Sequence, residues 1–143
     1  MTQSTGSCPY CDVHAEPVGG WIYRDERWVV QHGPAGGTIA GGLQIISVRH
    51  FIDFAEMTDA EASSFGLLLA RLDVALRATT DAERVHLVST RDRIAHFHAW
   101  LYPRPASHQF RGTDFLAAPQ SSQVQDAERV ADAVRQRLAW WSA

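Results

Sequence analysis

The sequence contains no lysine: all 13 of its basic side chains are arginine. A lysine Schiff base and a phosphate-loop lysine are therefore excluded, and any phosphate chemistry must use arginine, histidine, hydroxyls or backbone amides. Cysteine is nearly absent as well. The only two, Cys8 and Cys11, lie in one tetrapeptide and cannot close a large loop, so a disulfide scaffold is not expected. Excess positive charge is missing: the net charge is −3 and the pI about 6.1. That balance argues against binding to nucleic acid polymers or to an anionic membrane surface. Residues 1–7 are polar and carry no apolar signal segment, and no run approaches the roughly 18 apolar residues of a spanning helix. The expectation is a cytoplasmic protein.

What is present suits one domain, residues 1–143. Hydrophobic residues make up 45% and charged residues 20%, enough for a core that buries roughly 68% of the unfolded surface. Residues 21–31 read as a strand or short hairpin. Residues 33–42 hold five glycines and a proline and read as a turn. Residues 43–48 are rich in branched side chains and read as a strand. Thr58 and Glu61 have capping-box spacing. After them Phe65, Leu68, Leu69, Leu72 and Leu76 form one helical stripe, with Gly66 inside it. Residues 84–90 and 95–102 read as antiparallel neighbours across a hairpin-length gap. Residues 103–121 read as a long irregular loop, which in a compact domain is often functional. A last helix spans 124–141, with Ala127, Val130, Ala131, Val134, Leu138 and Trp141 on one face. The fold class is α+β, with an antiparallel sheet.

The densest chemistry lies in His96-Phe-His98-Ala-Trp100-Leu-Tyr102-Pro-Arg104. Alternate strand residues share a face about 7 Å apart. His96, His98, Trp100 and Tyr102 therefore face one way, and Ala95, Phe97, Ala99 and Leu101 face the core. Adjacent histidines on a rigid strand suit metal ligation or nucleophilic catalysis. Cys8-Pro-Tyr-Cys11 has two readings. As a thiol-redox centre it would need a preceding strand and a following helix to lower a thiol pKa. Only seven polar residues precede it, and proline and paired glycines follow. As half of a tetrahedral zinc site it needs two further ligands.

In its order of motifs the chain resembles the histidine-triad superfamily. That family carries His-φ-His-φ-His-φ-φ on its last strand, φ being apolar, often followed by Pro-Arg. Here residues 96–102 keep two of the three histidines. The family's earlier strand, roughly Gly-His-φ-φ-φ-φ-Pro-Lys-x-His before a helix, matches residues 41–50, and many bacterial members open with Cys-x-x-Cys. The resemblance covers about residues 8–105. It implies a histidine-triad-like antiparallel sheet of about five strands with one main helix and a C-terminal helix. It also implies a homodimer and a structural Zn2+ held by Cys8, Cys11, His50 and His96, with residues 1–20 as the zinc-binding segment.

The resemblance gives His98 the role of nucleophile. It would attack the α-phosphate of a nucleoside polyphosphate or phosphoramidate, forming a nucleotidyl-histidine that water cleaves. A neutral imidazole can do this if an acceptor orients its far nitrogen. The developing charge needs donors; Ser89, Thr90, Arg91, Arg93 and Arg104 are candidates, the arginines also reading as a solvated hairpin tip. Ser89, Thr90, Trp100 and Arg104 are the expected substrate-binding residues.

The chain departs from the pattern at Trp100 in the third histidine's place, Gly42 in the early histidine's and Ser47 in the proline's. Asp92 falls near a position where the family has glutamine. Trp100 donates one hydrogen bond and accepts none, although it could stack on a base. Good leaving groups such as phosphate should therefore be favoured over amines. Three other readings stand beside this one: a nucleotide-binding protein without turnover, a glutaredoxin-like thiol oxidoreductase, and a catalytic metal site that uses His96 and His98 together. His14, His32, His86 and His108 read as ordinary histidines, and Trp140 and Trp141 as packing or, second, as a dimer contact.

Overall fold

A computed structural model describes residues 8–11 and 15–141. His14 lies outside the described residues. Among the described residues ten elements alternate as the α+β reading requires. They are β1 (Tyr23–Arg24), β2 (Trp28–His32), β3 (Leu43–Ser47), α1 (Asp59–Thr79), β4 (Ala82–Val88), β5 (His98–Pro105), α2 (Gly112–Ala117) and α3 (Val124–Trp141), with 3-10 turns at Ala35–Gly37 and Phe54–Glu56. The five strands form one sheet in the order β1-β2-β3-β5-β4, and every neighbouring pair is antiparallel.

The two faces of the sheet differ. Trp28, Val30, Leu43, Ile45, Ala99 and Leu101 point into the core, where they meet Leu68, Leu72 and Leu76 of α1 and Val130, Val134 and Leu138 of α3. The opposite, open face carries Val29, Ile46 and His98 in one cross-strand row and Gln31, Gln44 and Trp100 in the next. The helices form for local reasons. Thr58 accepts from the Glu61 amide at 3.1 Å, and the Glu61 carboxylate accepts from the Thr58 amide at 2.9 Å, closing the capping box. At the other end of β3, Gly41 takes φ +95°, and a Cβ there would meet Pro103 Cγ at 2.8 Å. Only glycine suits both demands.

Several readings are refined. β5 begins at His98 and runs to Pro105, so His96 sits in the bend ahead of the strand, and the β4–β5 connection is longer than a hairpin turn. The backbone of that bend is pinned instead by Phe97, whose amide donates to the Phe51 carbonyl at 2.6 Å and whose carbonyl accepts from Ser47 at 3.2 Å. The stretch 103–121 is not wholly irregular. Its first three residues complete β5, and α2 lies within it, with Phe115 fully buried. Trp141 packs on Tyr23 with ring centroids 5.5 Å apart, whereas Trp140 is 88% exposed and does not pack. No helix among the described residues is long and apolar enough to cross a membrane.

Candidate metal centre and histidine site

The end of β3, the bend before β5 and the N-terminal turn converge on four donors. Cys8 Sγ lies 3.3 Å from His96 Nδ1, Cys11 Sγ lies 3.2 Å from His50 Nδ1 and 3.5 Å from His96 Nδ1, and the two Nδ1 atoms are 3.1 Å apart. All four donor atoms fall within 4.8 Å of one another. Donors around a tetrahedral zinc ion, with bonds near 2.3 Å to sulfur and 2.0–2.1 Å to nitrogen, sit about 3.3–3.8 Å apart. The donor set therefore fits Zn2+ in number, softness and spacing. His96 is fully buried and donates its Nε2–H to the Ser47 carbonyl at 2.8 Å, which leaves the Nδ1 lone pair facing the thiols. Burial first, then neighbouring His50 and His98, holds the His96 pKa below its ordinary value, so the ring stays neutral as a ligand must.

His50 is positioned through its neighbour. Arg49 forms a paired contact with Glu61, at 3.0 Å and 2.7 Å, and lies over the Phe51 ring at 4.5 Å. Glu61, 4% exposed, thus closes the α1 cap and ties α1 to the segment bearing His50. The Arg49 guanidinium is the main reason its carboxyl lies below the usual range.

His98 opens β5 and is 8% exposed. Its Nδ1 donates to the His96 carbonyl at 2.7 Å, so a neutral ring carries its lone pair on Nε2. The two histidines consequently do different work. His96 turns Nδ1 to the cysteines, and His98 is not in the four-donor group. This geometry gives no support to a catalytic metal built from both rings. Nor does it support thiol-redox catalysis, since both sulfurs face imidazole nitrogens.

The expected substrate-binding residues are placed unevenly. Ser89 donates its hydroxyl to the His98 carbonyl at 2.6 Å and accepts from Arg91 at 2.9 Å. Thr90 follows it at the exposed start of the connection. Arg91 is held by Ser89 and lies 4.9 Å over Phe54, so it is not a solvated tip; Asp92 and Arg93 are exposed. Trp100 lies next along the open face and stacks on Tyr102 at 5.5 Å and 5°. Arg104 is six residues from His98, about 20 Å along a strand; it is 4% exposed and pairs with Glu83 at 2.7 Å. The structure therefore brings Ser89 and Trp100 beside His98, but not Arg104.

Two residues of the site have no place in the sequence reading. Tyr10, between the cysteines, packs its ring on His98 with centroids 4.9 Å apart and on His96 at 5.9 Å. Gln44 donates to the Tyr10 hydroxyl at 2.5 Å and is 3% exposed. The available signals were a polar residue inside an apolar strand and an aromatic one between two metal ligands. A pocket of about 120 Å³ lies beside them, lined by Tyr10, Trp21, Arg24, Val29 and Ile46 among others. Arg24, Val29, Ile46 and His98 occupy one cross-strand row. Larger grooves lie beside Thr80 and around Trp140, but neither is lined by histidine or cysteine.

Solved structures share this fold. A Zn-bound histidine triad family protein from Mycobacterium smegmatis superposes with a TM-score of 0.74 at 17% identity, covering 97% of this chain and 98% of its own. A hypothetical histidine triad nucleotide-binding protein from Sulfolobus tokodaii gives 0.72 at 16% identity, covering 94% of each. Plasmodium falciparum diadenosine triphosphate hydrolase, in complex with cyclomarin A, gives 0.66 at 7% identity over 92% of this chain and 84% of its own. No family model matches the sequence, and no curated protein matches it.

Proposed function

We propose that this chain, which has the histidine-triad fold, is a nucleotide-binding hydrolase or transferase with His98 as its nucleophile. The observation that carries the reading is the 2.7 Å hydrogen bond from His98 Nδ1 to the His96 carbonyl. It sets the tautomer, so that the Nε2 lone pair is the reactive one. Nε2 forms a bond to the α-phosphorus while the bond from phosphorus to the leaving group breaks, and the leaving group departs with the electron pair. Water then cleaves the N–P bond, releasing a mononucleotide and restoring the imidazole. The row from His98 to Arg24 gives the nucleotide a place to lie, with a cation at its far end. The fold is shared with proteins named for nucleotide binding and for diadenosine triphosphate hydrolysis, which supports the same substrate class.

Cys8, Cys11, His50 and His96 would hold Zn2+, whose contribution is a structural cross-link. Ser89 supports His98 through its carbonyl. Because Trp100 offers no acceptor and one donor, phosphate and nucleotide leaving groups are favoured over amines. The test is mononucleotide release from adenosine and guanosine polyphosphates and phosphoramidates. His98→Ala should lower turnover by roughly 10³-fold or more. Undiminished turnover in that variant would rule His98 out as nucleophile. A second reading, binding without turnover, is favoured by one observation: Trp100, stacked on Tyr102, stands two residues beyond His98, where the resemblance would have the third histidine. Tight nucleotide binding by a wild-type protein that releases no product would establish it.

A further inference from the structure

The N-terminal turn does more than supply two thiolates. Its Tyr10 lies over the open face, with the ring against His98 at 4.9 Å and 66°. The Tyr10 hydroxyl reaches one row further. Its oxygen accepts from Gln44 Nε2 at 2.5 Å, and Gln44 Oε1 accepts from Gln31 Nε2 at 2.8 Å. Gln44 is the cross-strand partner of Trp100, as Ile46 is of His98. The ring thus packs edge-on against His98, and the hydroxyl sits over the Trp100 row. A side chain two residues beyond His98 would present its polar group there. The residue at that position is Trp100, whose ring stacks on Tyr102 and lies against Gly33, where a Cβ would meet Trp100 Cζ3 at 2.6 Å. The direction of the amide chain matters. An oxygen that accepts from Gln44 keeps its own proton to give.

We propose that the Tyr10 hydroxyl, held over the Gln44–Trp100 row, donates a hydrogen bond to a phosphoryl oxygen of a nucleotide bound at His98. The proposal rests on the reading that phosphate lies at His98. It makes Tyr10 a substrate-contacting residue delivered by the metal-binding turn, with Gln44 and Gln31 setting the hydroxyl's direction. A hydrogen bond to a charged group changes affinity by roughly 10- to 100-fold.

The test is calorimetric binding of adenosine and guanosine monophosphates, and of the corresponding nucleosides, to zinc-loaded wild type and Tyr10→Phe. Zinc content of both proteins shows that the turn is intact. Tyr10→Phe should weaken monophosphate binding by roughly 10- to 100-fold and leave nucleoside binding unchanged. Gln44→Leu should weaken the same ligands selectively, by less. Equal weakening of monophosphates and nucleosides would make Tyr10 a wall and overturn the proposal. So would unchanged affinities, or a wild type that binds monophosphate no better than nucleoside. The two readings fail separately. Absent turnover with the Tyr10 effect intact sinks the hydrolase; His98-dependent turnover with an unchanged phosphate preference in Tyr10→Phe sinks this inference.

Discussion

Histidines in this chain acquire their roles from which ring nitrogen the backbone occupies. His32 uses both: Gly41 donates to its Nε2 at 2.9 Å, and its Nδ1 donates to the Gly33 carbonyl at 2.7 Å. Burial lowers its pKa, and it serves as a neutral brace across the glycine-rich turn. His98 has Nδ1 committed to the backbone carbonyl of His96. Trp100 is also explained at this scale, through a residue far away in sequence. Its ring occupies the space a side chain at Gly33 would fill, and that same Cβ would meet Thr38 Oγ1 at 2.6 Å. Gly33→Ala should therefore destabilise the fold by about 1–3 kcal/mol through overpacking. Chemical denaturation measures this; a change under about 0.5 kcal/mol would mean Trp100 repacks without cost.

Among the elements, the far end of the β4–β5 pair is held by Glu83. Its carboxylate accepts from Arg104 at 2.7 Å and from Arg111 at 2.8 Å, tying both strands to the segment before α2. The Arg104 hydrogen bond first, and the Arg111 one second, pull the Glu83 pKa from an ordinary 4.5 to about 2. A depressed folded-state pKa adds stability that is present above the unfolded value and is lost as pH falls through the folded one. The gap in melting temperature between wild type and Glu83→Gln should thus be widest near pH 6 and narrow between about 4.5 and 2. The carboxylate is 40% exposed, so screening keeps the effect modest. A gap that stays constant or widens towards acid would show that Glu83 acts by packing alone. The long helices were legible because each carries its own signals: the Thr58–Glu61 box and the apolar stripe from Phe65 to Leu76 in α1, and the stripe from Ala127 to Leu138 in α3. α2 was not, since a six-residue helix between polar loops has no period to read.

At the scale of the molecule, the metal centre joins parts of the chain that sequence keeps far apart: the turn at Cys8, the end of β3 at His50 and the bend at His96. A cross-link of that reach stabilises by binding only the folded state. Purified protein should carry about one zinc, and removing it with a chelator should lower the melting temperature by on the order of 5–10 °C. Cys8→Ser should lose the metal, and His98→Ala should keep it. No zinc in protein prepared without chelators, together with an unchanged melting temperature, would dismiss the site. The four metal donors and His98 are separate groups that share a turn, because Tyr10 lies between the two cysteines and against His98.

The sequence by itself determined the α+β class and the two faces of β5 from His98 onward, and the family resemblance carried by its motif order pointed to the four metal donors. Each of these rests on local spacing or on motif order, and such patterns survive without a third dimension. Tertiary structure decided the rest. It assigned His96 to the metal and gave His98 its tautomer through a backbone carbonyl, and it set Arg104 apart from His98 with Glu83. Tyr10 and Gln44 entered the site only there. Their contact spans 34 positions, and hydrogen bonds between residues so separated leave no periodicity in the chain, only the folded geometry that makes them.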